Sequence, residues 1–308
     1  MPGAIQLLSE YDIFLWHWGP EESNYALPVT LTLEKKGVTV FPNFNTCWHF
    51  DKKHWQQILL HHTQFPLINT NVFYRKKDAL KWANSATYPL VHKLSGGASS
   101  TNVQIIKSKR KAKRLIHKAF GRGFSPVNRF SLFRNQVWKF SRDRSLRSFL
   151  GIVNGIRILL LGKEIERVIG REKGFIYFQD YIEGNDYDTR IITIGNRSFA
   201  VRRYNRKGDF RASGSGVKAY DRELFDLRMV KLSFEIAHHL KTQSIACDFL
   251  LDAAGDPVLV EISYGFITGS FYERCHGFWD QELNWHSESV RPEKFIIDDI
   301  LNSSGSSK

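Results

Sequence analysis

The sequence predicts an α+β fold in which short strands alternate with helices, and its C-terminal half carries the main evidence. A long amphipathic helix is expected over 222–241, where apolar residues recur at steps of three and four. Two β-hairpins are expected on either side of it, over 188–203 and 247–263, because alternating or apolar runs flank a glycine-containing turn in each. The N-terminal half alternates shorter helices and strands.

The first 107 residues are predicted to form three helices and four strands. The helices are expected at Leu27–Lys36, Asp51–Thr63 and Lys77–Ala83. The strands are expected at Tyr11–Trp18, Val38–Phe41, Pro89–Lys93 and Asn102–Lys107. A further strand is expected at Phe175–Ile182.

The composition is that of a globular protein with an excess of positive charge. The 308 residues are 42% hydrophobic and 24% charged, so the chain can bury a substantial core in one large domain or in a few small lobes. The net charge of +13 attracts nucleotides, nucleic acid, acidic glycans or anionic lipid headgroups, and it does not choose among them.

No feature of the sequence points to secretion or to a membrane span. Cys47, Cys247 and Cys275 are widely spaced and form no Cys-x-x-Cys motif, so a reducing, cytoplasmic setting is expected. The N-terminus lacks the basic region and apolar run of a secretory signal. The most apolar stretch, Phe149–Leu161, is short for a bilayer span and is interrupted by polar residues.

The middle of the chain is basic. Residues 108–118 form a basic run, and residues 119–174 are expected to be an insertion or accessory lobe. A nucleic-acid-binding module could use 107–118 and 134–147, but no RNA- or DNA-binding motif is recognisable, and a solvated helix face is the preferred explanation of 107–118. Peripheral docking on an anionic membrane through Arg142–Leu161 is a third use of these charges.

The second hairpin predicts two carboxylates facing each other. With a loop at 253–256 and a symmetric register, residue 252 faces 257 and Asp248 faces Glu261, with Leu250 and Leu259 beside them. Facing carboxylates repel, and a divalent cation between them removes the repulsion. Mg²⁺ favours one or two carboxylates together with substrate phosphates. A solvated pair or a different register is the alternative.

Lys93 is expected at the end of a strand, ahead of a loop that contains Gly96 and Gly97. Glycines let backbone N–H groups approach phosphate oxygens closely, and a lysine supplies a positive charge. The Gly-Lys-Ser/Thr order of a Walker A loop is missing. The segment therefore indicates either a phosphate-binding loop or an ordinary turn between two strands.

The first hairpin predicts a cluster of arginines. Its symmetric register places Asp188 opposite Arg203, with Arg190 on the same face, and Arg211 follows in a loop of small residues suited to closing over a ligand. A guanidinium group binds two oxygens of a phosphate or carboxylate at once, so converging arginines indicate an anion site. A surface salt bridge with a mobile loop is the alternative.

Six segments over about residues 42–265 carry a family resemblance. They are Asp51-Lys-Lys53 ahead of Leu59-Leu60, Tyr88-Pro-Leu-Val-His-Lys93 with its glycine loop, Phe178-Gln-Asp-Tyr-Ile-Glu-Gly184, Asp188-Thr-Arg190, Asp209-Phe-Arg211, and Asp248 with Val260-Glu-Ile-Ser263. In this order they resemble the ATP-grasp superfamily, especially its glutamate-ligase-like (RimK-like) carboxylate–amine ligases. The resemblance implies two α+β lobes that clasp ATP, expected at 51–118 and 175–300, after a short α/β segment at 1–50 and before a frayed tail at 301–308.

The resemblance also implies a role for each candidate residue. Lys53 and Lys93 would be the two nucleotide lysines, and the phosphate lid would consist of Gly96, Gly97, Ser99 and Ser100. The adenine hinge would consist of Gln179, Asp180, Tyr181 and Ile182, and Glu183 would bind the ribose. Arg190, Arg203 and Arg211 would steady the phosphates, an acyl phosphate or the acceptor carboxylate. Asp248 and Glu261 would hold Mg²⁺, and Ser263 stands where the family usually has Asn.

The implied reaction moves the γ-phosphoryl group of ATP to a substrate carboxylate and lets an amine displace phosphate. An amino acid, a peptide or a sugar uronate would each suit a basic cleft as substrate. A small-molecule kinase on the same fold, which leaves phosphate on its acceptor, is the alternative.

Overall fold

A computed structural model describes residues 2–19, 21–96, 102–162, 165–168, 170–205, 217–265, 272 and 274–305. The chain divides into two units. Unit 1 combines Met1–Ile68 with Ile182–Lys308, and unit 2 is Asn69–Tyr181.

The N-terminal part of unit 1 contains a small parallel sheet and four helices. Its strands are β1 (Ile13–Leu15) and β2 (Thr39–Phe41). Its helices are α1 (Pro2–Leu8), α2 (Ser23–Lys35), α3 (Phe44–Cys47) and α4 (Lys53–Leu60). The helix α2 ends ahead of Gly37, which adopts a left-handed φ of 87°. The expected helix, its glycine stop and the following strand are therefore confirmed, although α2 begins four residues earlier than predicted.

Unit 2 is built on a four-stranded antiparallel sheet in the order β3-β6-β4-β5. Its strands are β3 (Thr70–Phe73), β4 (Leu90–His92), β5 (Gln104–Ile106) and β6 (Ile176–Asp180). Its helices are α5 (Lys76–Ser85), α6 (Lys109–Ala119), α7 (Arg129–Asp143), α8 (Leu146–Leu161) and α9 (Ile165–Val168). One apolar core joins the sheet to α5 and α6.

The C-terminal part of unit 1 is a seven-stranded sheet in the order β11-β10-β7-β8-β12-β13, with β9 also paired to β8. Its strands are β7 (Tyr187–Ile194), β8 (Arg197–Tyr204), β9 (Lys218–Ala219), β10 (Ser244–Leu251), β11 (Pro257–Ser263), β12 (Phe278–Trp279) and β13 (Trp285–His286). Its helices are α10 (Leu227–Leu240) and α11 (Pro292–Gly305).

The predicted long helix over 222–241 is interrupted near its start. Residues Arg222–Leu224 form a 3₁₀ turn, and α10 begins after Asp226, whose carboxylate accepts a hydrogen bond from the Arg228 backbone N–H at 2.8 Å. A carboxylate in this position caps a helix by satisfying one of its free N–H groups, so the regular helix starts there.

The two faces of the large sheet differ in chemistry. One face is apolar and packs Ile191, Cys247 and Phe249 against α10. The other face packs Ile192 and Ile194 of β7 against α11, while the opposite end of β7 places charged residues on this same face. This charged end of the sheet, with α4 beside β11, contains Lys53, Arg190, Arg203, Asp248 and Glu261.

The unit boundaries differ from the expected ones. The helix α4 belongs to unit 1 because it contacts β11, and β6 belongs to unit 2 because it pairs with β3 and β4. Residues 119–174, expected as a separate lobe, form part of unit 2 and contain the helices α7 and α8. Among the described residues, no helix has the length and apolar character that crossing a membrane requires.

Candidate functional site

A β-bulge brings the two candidate carboxylates of unit 1 together. Near the turn Leu251 pairs with Pro257, whereas Asp248 pairs with Glu261, so β11 carries one extra residue between these two pairs. The predicted pairing of Asp248 with Glu261 is therefore confirmed. The symmetric register is wrong near the turn, where residue 251 rather than Asp252 faces 257.

The turn explains the change of register. The Asp252 carboxylate accepts hydrogen bonds from the backbone N–H groups of Ala254 and Asp256, at 2.8 and 2.9 Å. Local bonds of this kind close an Asx turn, so Asp252 belongs to the loop instead of the strand.

Core packing explains the bulge. Leu259 and Ile262 both lie in the apolar core under α10, although strict alternation would send residues three apart to opposite faces. The extra residue lets both Leu259 and Ile262 face the core, and it turns Glu261 to the charged face, beside Asp248. Leu259 pairs with Phe249 and so does not lie beside the carboxylates, contrary to the prediction.

Four charged side chains of three neighbouring strands form one network on this face. Arg190 binds both oxygens of Asp248, at 2.6 and 2.8 Å. Arg203 binds both oxygens of Asp188, at 2.6 and 2.7 Å, and its Nη2 also reaches Asp248 at 2.9 Å. The predicted pairing of Asp188 with Arg203 is confirmed. All four side chains are at most 20% exposed, so solvent screens these bonds weakly.

The network holds Asp248 in its charged form. Burial raises the pKa of this carboxyl, but Arg190 and Arg203 outweigh burial and hold the pKa below its ordinary value. Beside the network, burial and then Arg203, Arg274 and Arg190 lower the pKa of Lys218 to about 8. Burial disfavours the charged ammonium group, and the three arginines act in the same direction.

Lys53 neutralises the second carboxylate. It is the first residue of α4, and its Nζ lies 3.0 Å from Glu261, with the lysine side chain only 10% exposed. The same helix is fixed to β11 by Gln56, whose side-chain oxygen accepts the backbone N–H of Ile262 at 3.4 Å. The neighbouring Lys52 instead lies over the ring of Trp55, 5.9 Å from its centroid.

Ser263 takes part in a local turn. Its hydroxyl donates to the Gly265 carbonyl at 3.0 Å and accepts from the Gly265 N–H at 3.1 Å. Ser263 pairs with Ala246 and lies two residues from Glu261, on the same face of β11. Its predicted role beside Mg²⁺ remains a prediction.

The donor set fits Mg²⁺ when the ion brings phosphate oxygens with it. Asp248 and Glu261 supply carboxylate oxygens from paired positions on one face, which is the kind of ligand that Mg²⁺ prefers. Each carboxylate is already balanced by arginine or lysine, so an ion alone would add positive charge to a neutral cluster. Among the described residues, no group of three or more His, Cys, Asp or Glu is arranged to hold a metal by itself.

The candidate residues of unit 2 lie around the ends of β4 and β6. Lys93 directly follows β4 and is 6% exposed. The next residues are held by hydrogen bonds, since Tyr177 Oη donates to the Leu94 carbonyl at 3.3 Å and the Ser95 N–H donates to Glu172 at 2.8 Å. Glu172 was not predicted, because a carboxylate so distant in the chain meets Ser95 only through the fold.

The residues of the expected adenine hinge lie at the end of β6 and directly after it. Gln179 is buried and pairs with Val91 of β4, and Asp180 accepts a hydrogen bond from the Asn69 side chain at 3.0 Å. Tyr181 ends unit 2, whereas Ile182 and Glu183 begin the second segment of unit 1.

One predicted site residue lies at the edge of the described residues, and four lie outside them. Gly96 is the last described residue of the glycine loop. Gly97, Ser99, Ser100 and Arg211 lie outside the described residues. Lys218 and Tyr272, by contrast, were not predicted. Tyr272 accepts a hydrogen bond from Arg190. The register of β9 against Arg203 places Lys218 here, and a two-residue strand leaves no recognisable pattern in the sequence.

His92 makes unit 2 sensitive to acid. Its ring is 1% exposed, its Nδ1 lies 3.2 Å from the Tyr177 carbonyl, and burial lowers its pKa to about 4. The unfolded state therefore binds the proton more readily between pH 6.5 and 4, and stability falls as pH falls through that range. Between pH 7.5 and 5 this histidine alone is expected to cost about 2 kcal/mol of unfolding free energy.

Urea denaturation at the two pH values tests this prediction. We expect His92→Leu to lose about 2 kcal/mol less than the wild type on acidification, whatever its stability at pH 7.5. The exposed His61→Leu is the control and should behave as the wild type does. An unchanged pH dependence in His92→Leu would contradict the assignment.

Comparisons with known proteins give a match in structure only. No family model matches the chain, and no curated protein matches its sequence. The ADP complex of PurK, an N5-carboxyaminoimidazole ribonucleotide synthetase, is 10% identical and gives a TM-score of 0.57. The match covers 94% of this chain and 66% of the PurK chain. A biotin carboxylase β-γ-ATP complex from Campylobacter jejuni is 12% identical, with a TM-score of 0.53 over 87% of this chain.

A third solved structure is the ATP-grasp ligase PsnB with its precursor peptide PsnA2 and AMPPNP. It is 12% identical, the match covers 92% of this chain and 69% of that chain, and the TM-score is 0.50. The chain spans about half the length of the biotin carboxylase, of which 52% is covered. At these identities the likeness concerns the fold.

Proposed function

Because the chain has the ATP-grasp fold, we propose that it is an ATP-dependent ligase that joins a carboxylate to an amine through an acyl phosphate. The fold is that of the solved nucleotide complexes described above. The observation that carries the proposal is the charged face of unit 1. There, Asp248 and Glu261 lie paired, and each is in contact with a lysine or arginine suited to phosphate.

The reaction has two balanced steps. A carboxylate oxygen of the first substrate attacks the γ-phosphorus of ATP, ADP leaves, and an acyl phosphate forms. The amine nitrogen of the second substrate then attacks the acyl carbon, inorganic phosphate leaves with the bonding electrons, and the nitrogen loses a proton. Neither step needs a protein nucleophile, so positioning and charge stabilisation are the protein's tasks.

Unit 1 carries the residues proposed to stabilise charge. Arg190 and Arg203 are held rigidly by Asp188 and Asp248, so little side-chain entropy is lost when they meet an anion. Lys53 beside Glu261 would contact the nucleotide phosphates. Asp248 and Glu261 would hold Mg²⁺, which when bound neutralises phosphate charge; Ser263 and Arg211 are proposed to assist.

Unit 2 carries residues proposed to bind the nucleotide itself. Lys93, buried at the end of β4, would contribute positive charge toward phosphate, and the glycine loop that begins at Ser95 would cover it. The backbone from Gln179 to Ile182, with Glu183, would bind adenine and ribose. ATP and Mg²⁺ are therefore the proposed cosubstrate and cofactor.

The substrates are proposed to be anionic. Arg190 and Arg203, with Lys218 beside them, supply guanidinium and ammonium groups that can bind a carboxylate, which suits an amino acid, a peptide or a sugar uronate. Cytoplasmic localisation remains a proposal, and no specific nucleic-acid partner is proposed.

Product analysis tests the reaction. The purified protein with Mg²⁺-ATP is screened against pooled carboxylates and amines, and ADP, inorganic phosphate and the coupled product are measured. We expect ADP and inorganic phosphate in equal amounts only when both substrate classes are present. Phosphate retained on an acceptor would replace the ligase by the kinase alternative. No ADP release with any pool, in protein that binds ATP, would reject both.

A further inference from the structure

The helix pair α7–α8 of unit 2 buries small residues and exposes large ones. Ser148 and Gly155 of α8 are buried, and Gly151 lies one turn from each on the same side. A Cβ at Gly155 would lie 3.2 Å from Phe133 of α7, and one at Gly151 would lie 2.8 Å from Gln136. The two helices therefore approach closely through small residues, as helix pairs do in lipid.

The opposite side of α8 is apolar and exposed. At about 100° per residue the large side chains fall on one arc, facing away from the glycines. They are 46 to 77% exposed and comprise Leu146, Phe149, Leu150, Val153, Ile156, Leu160 and Leu161. In a helix packed for water this stripe would face the core.

The neighbouring helix also has exposed apolar side chains. Phe130, Val137 and Trp138 of α7 are 41 to 63% exposed. We call the seven residues of α8 the apolar face. Among the described residues, α7 and α8 together carry 10 of the 22 exposed large apolar side chains, within 32 consecutive positions. An exposed concentration of this kind marks an interaction surface.

Basic side chains accompany the apolar face. Between residues 129 and 161 the sequence has seven basic residues and one acidic residue, a net charge of +6. The acidic residue, Asp143, is ion-paired with Arg142 at 2.5 Å. The exposed basic residues are Arg134, Lys139, Arg142, Arg144, Arg147 and Arg157.

We propose that the helix pair α7–α8 docks on the surface of an anionic lipid bilayer. The apolar face would enter the boundary between headgroups and acyl chains, while the basic residues meet lipid phosphates. Trp138, with Arg142 over its ring at 4.9 Å, combines an apolar body with a polar edge, as residues at this boundary do. A helix of 16 residues is about 24 Å long, shorter than the roughly 30 Å hydrocarbon core, so α8 is placed on the surface.

Charge and apolarity together favour this occupant over others. A nucleic acid would use the basic residues and leave the apolar face in water. A second copy would cover the apolar face, but would bring two surfaces of charge +6 together. An anionic bilayer satisfies both features at once. The proposal does not depend on the enzymatic function proposed above.

Vesicle co-sedimentation of the full chain tests the proposal. We expect binding to vesicles of phosphatidylcholine with 30 mol% phosphatidylglycerol to be at least about tenfold tighter than to phosphatidylcholine alone, and to weaken as salt rises. The double variant Leu150→Glu with Leu160→Glu should bind these anionic vesicles at least about tenfold more weakly than the wild type, since both charges would enter the boundary layer. Replacing Arg144 and Arg147 with glutamine should weaken binding roughly 30-fold, from about 1 kcal/mol for each basic residue.

A matched control uses two exposed leucines of unit 1. Leu7→Glu with Leu301→Glu, at 56 and 55% exposure, should bind vesicles as the wild type does. Circular dichroism confirms that each variant is folded. The proposal is overturned if the wild type does not bind anionic vesicles, or if Leu150→Glu with Leu160→Glu binds unchanged. It is also overturned if sedimentation shows a dimer that dissociates in this double variant, while the wild type does not bind vesicles. Binding of an RNA oligomer by a protein that does not bind vesicles would overturn it as well.

Discussion

Replacing Glu261 with glutamine is expected to lower ATP turnover about 1000-fold while unit 1 stays folded. Glutamine keeps the size of the side chain and removes its charge at the position proposed to meet Mg²⁺ and phosphate. Charge stabilisation placed in advance is the main contribution a protein makes to phosphoryl transfer, so its loss should appear in the rate. The measurement is ADP release at saturating ATP, with nucleotide binding followed separately by calorimetry.

The lysine beside Glu261 complicates this variant, and a second variant separates the effects. Lys53 is 10% exposed at its side chain and would lose its ion pair with Glu261, which by itself destabilises the fold. Combining Glu261→Gln with Lys53→Met removes both charges and should restore stability but not turnover. Lys52→Met is the matched control, since Lys52 lies over Trp55, and it should retain activity. Turnover of Glu261→Gln within about threefold of the wild type would refute the assigned role.

Replacing Asp248 with alanine is expected to destabilise unit 1 by about 3 kcal/mol. The carboxylate holds two guanidinium groups, Arg190 and Arg203, that are 20% and 7% exposed at their side chains. Removing it leaves Arg190 without the carboxylate that binds both of its nitrogens and leaves Arg203 with one of the two carboxylates that it contacts among the described residues. Uncompensated charge in a partly desolvated position costs far more than the lost hydrogen bonds themselves.

Chemical denaturation with a double-mutant cycle measures this effect. Asp248→Leu combined with Arg190→Leu should cost less than the sum of the single changes, because both ends of the pair are removed together. The exposed pair of Lys294 with Asp298 is the control, and Asp298→Ala should change stability by less than about 1 kcal/mol. If Asp248→Ala costs no more than that control, the network contributes nothing to the fold.

Sequence alone was informative wherever the signal was local. Alternation and turn residues located both hairpins, and the symmetric register placed Asp188 correctly against Arg203 because its two-residue Gly-Asn turn permits no other pairing. The glycine after α2 and the periodic apolar residues of α10 were equally local. The order of the six motifs then indicated the ATP-grasp fold, which the solved structures share.

Tertiary structure decided how the charges are balanced. From the sequence, Asp248 and Glu261 were predicted to be facing carboxylates whose mutual repulsion a magnesium ion would relieve. In the folded chain Arg190, Arg203 and Lys53 already stand against them. These partners come from different strands and from a helix some 200 positions away, and no local pattern records such contacts.

The sequence by itself determined the hairpins and the fold class, because alternation, turn residues and helical periodicity are patterns of residues close together in the chain. Only the tertiary structure decided the bulge in β11 and the unit to which α4 belongs. The bulge exists because the core under α10 takes both Leu259 and Ile262, which leaves Glu261 to turn toward Asp248. Packing between distant elements sets that choice, and it is made only when the chain folds.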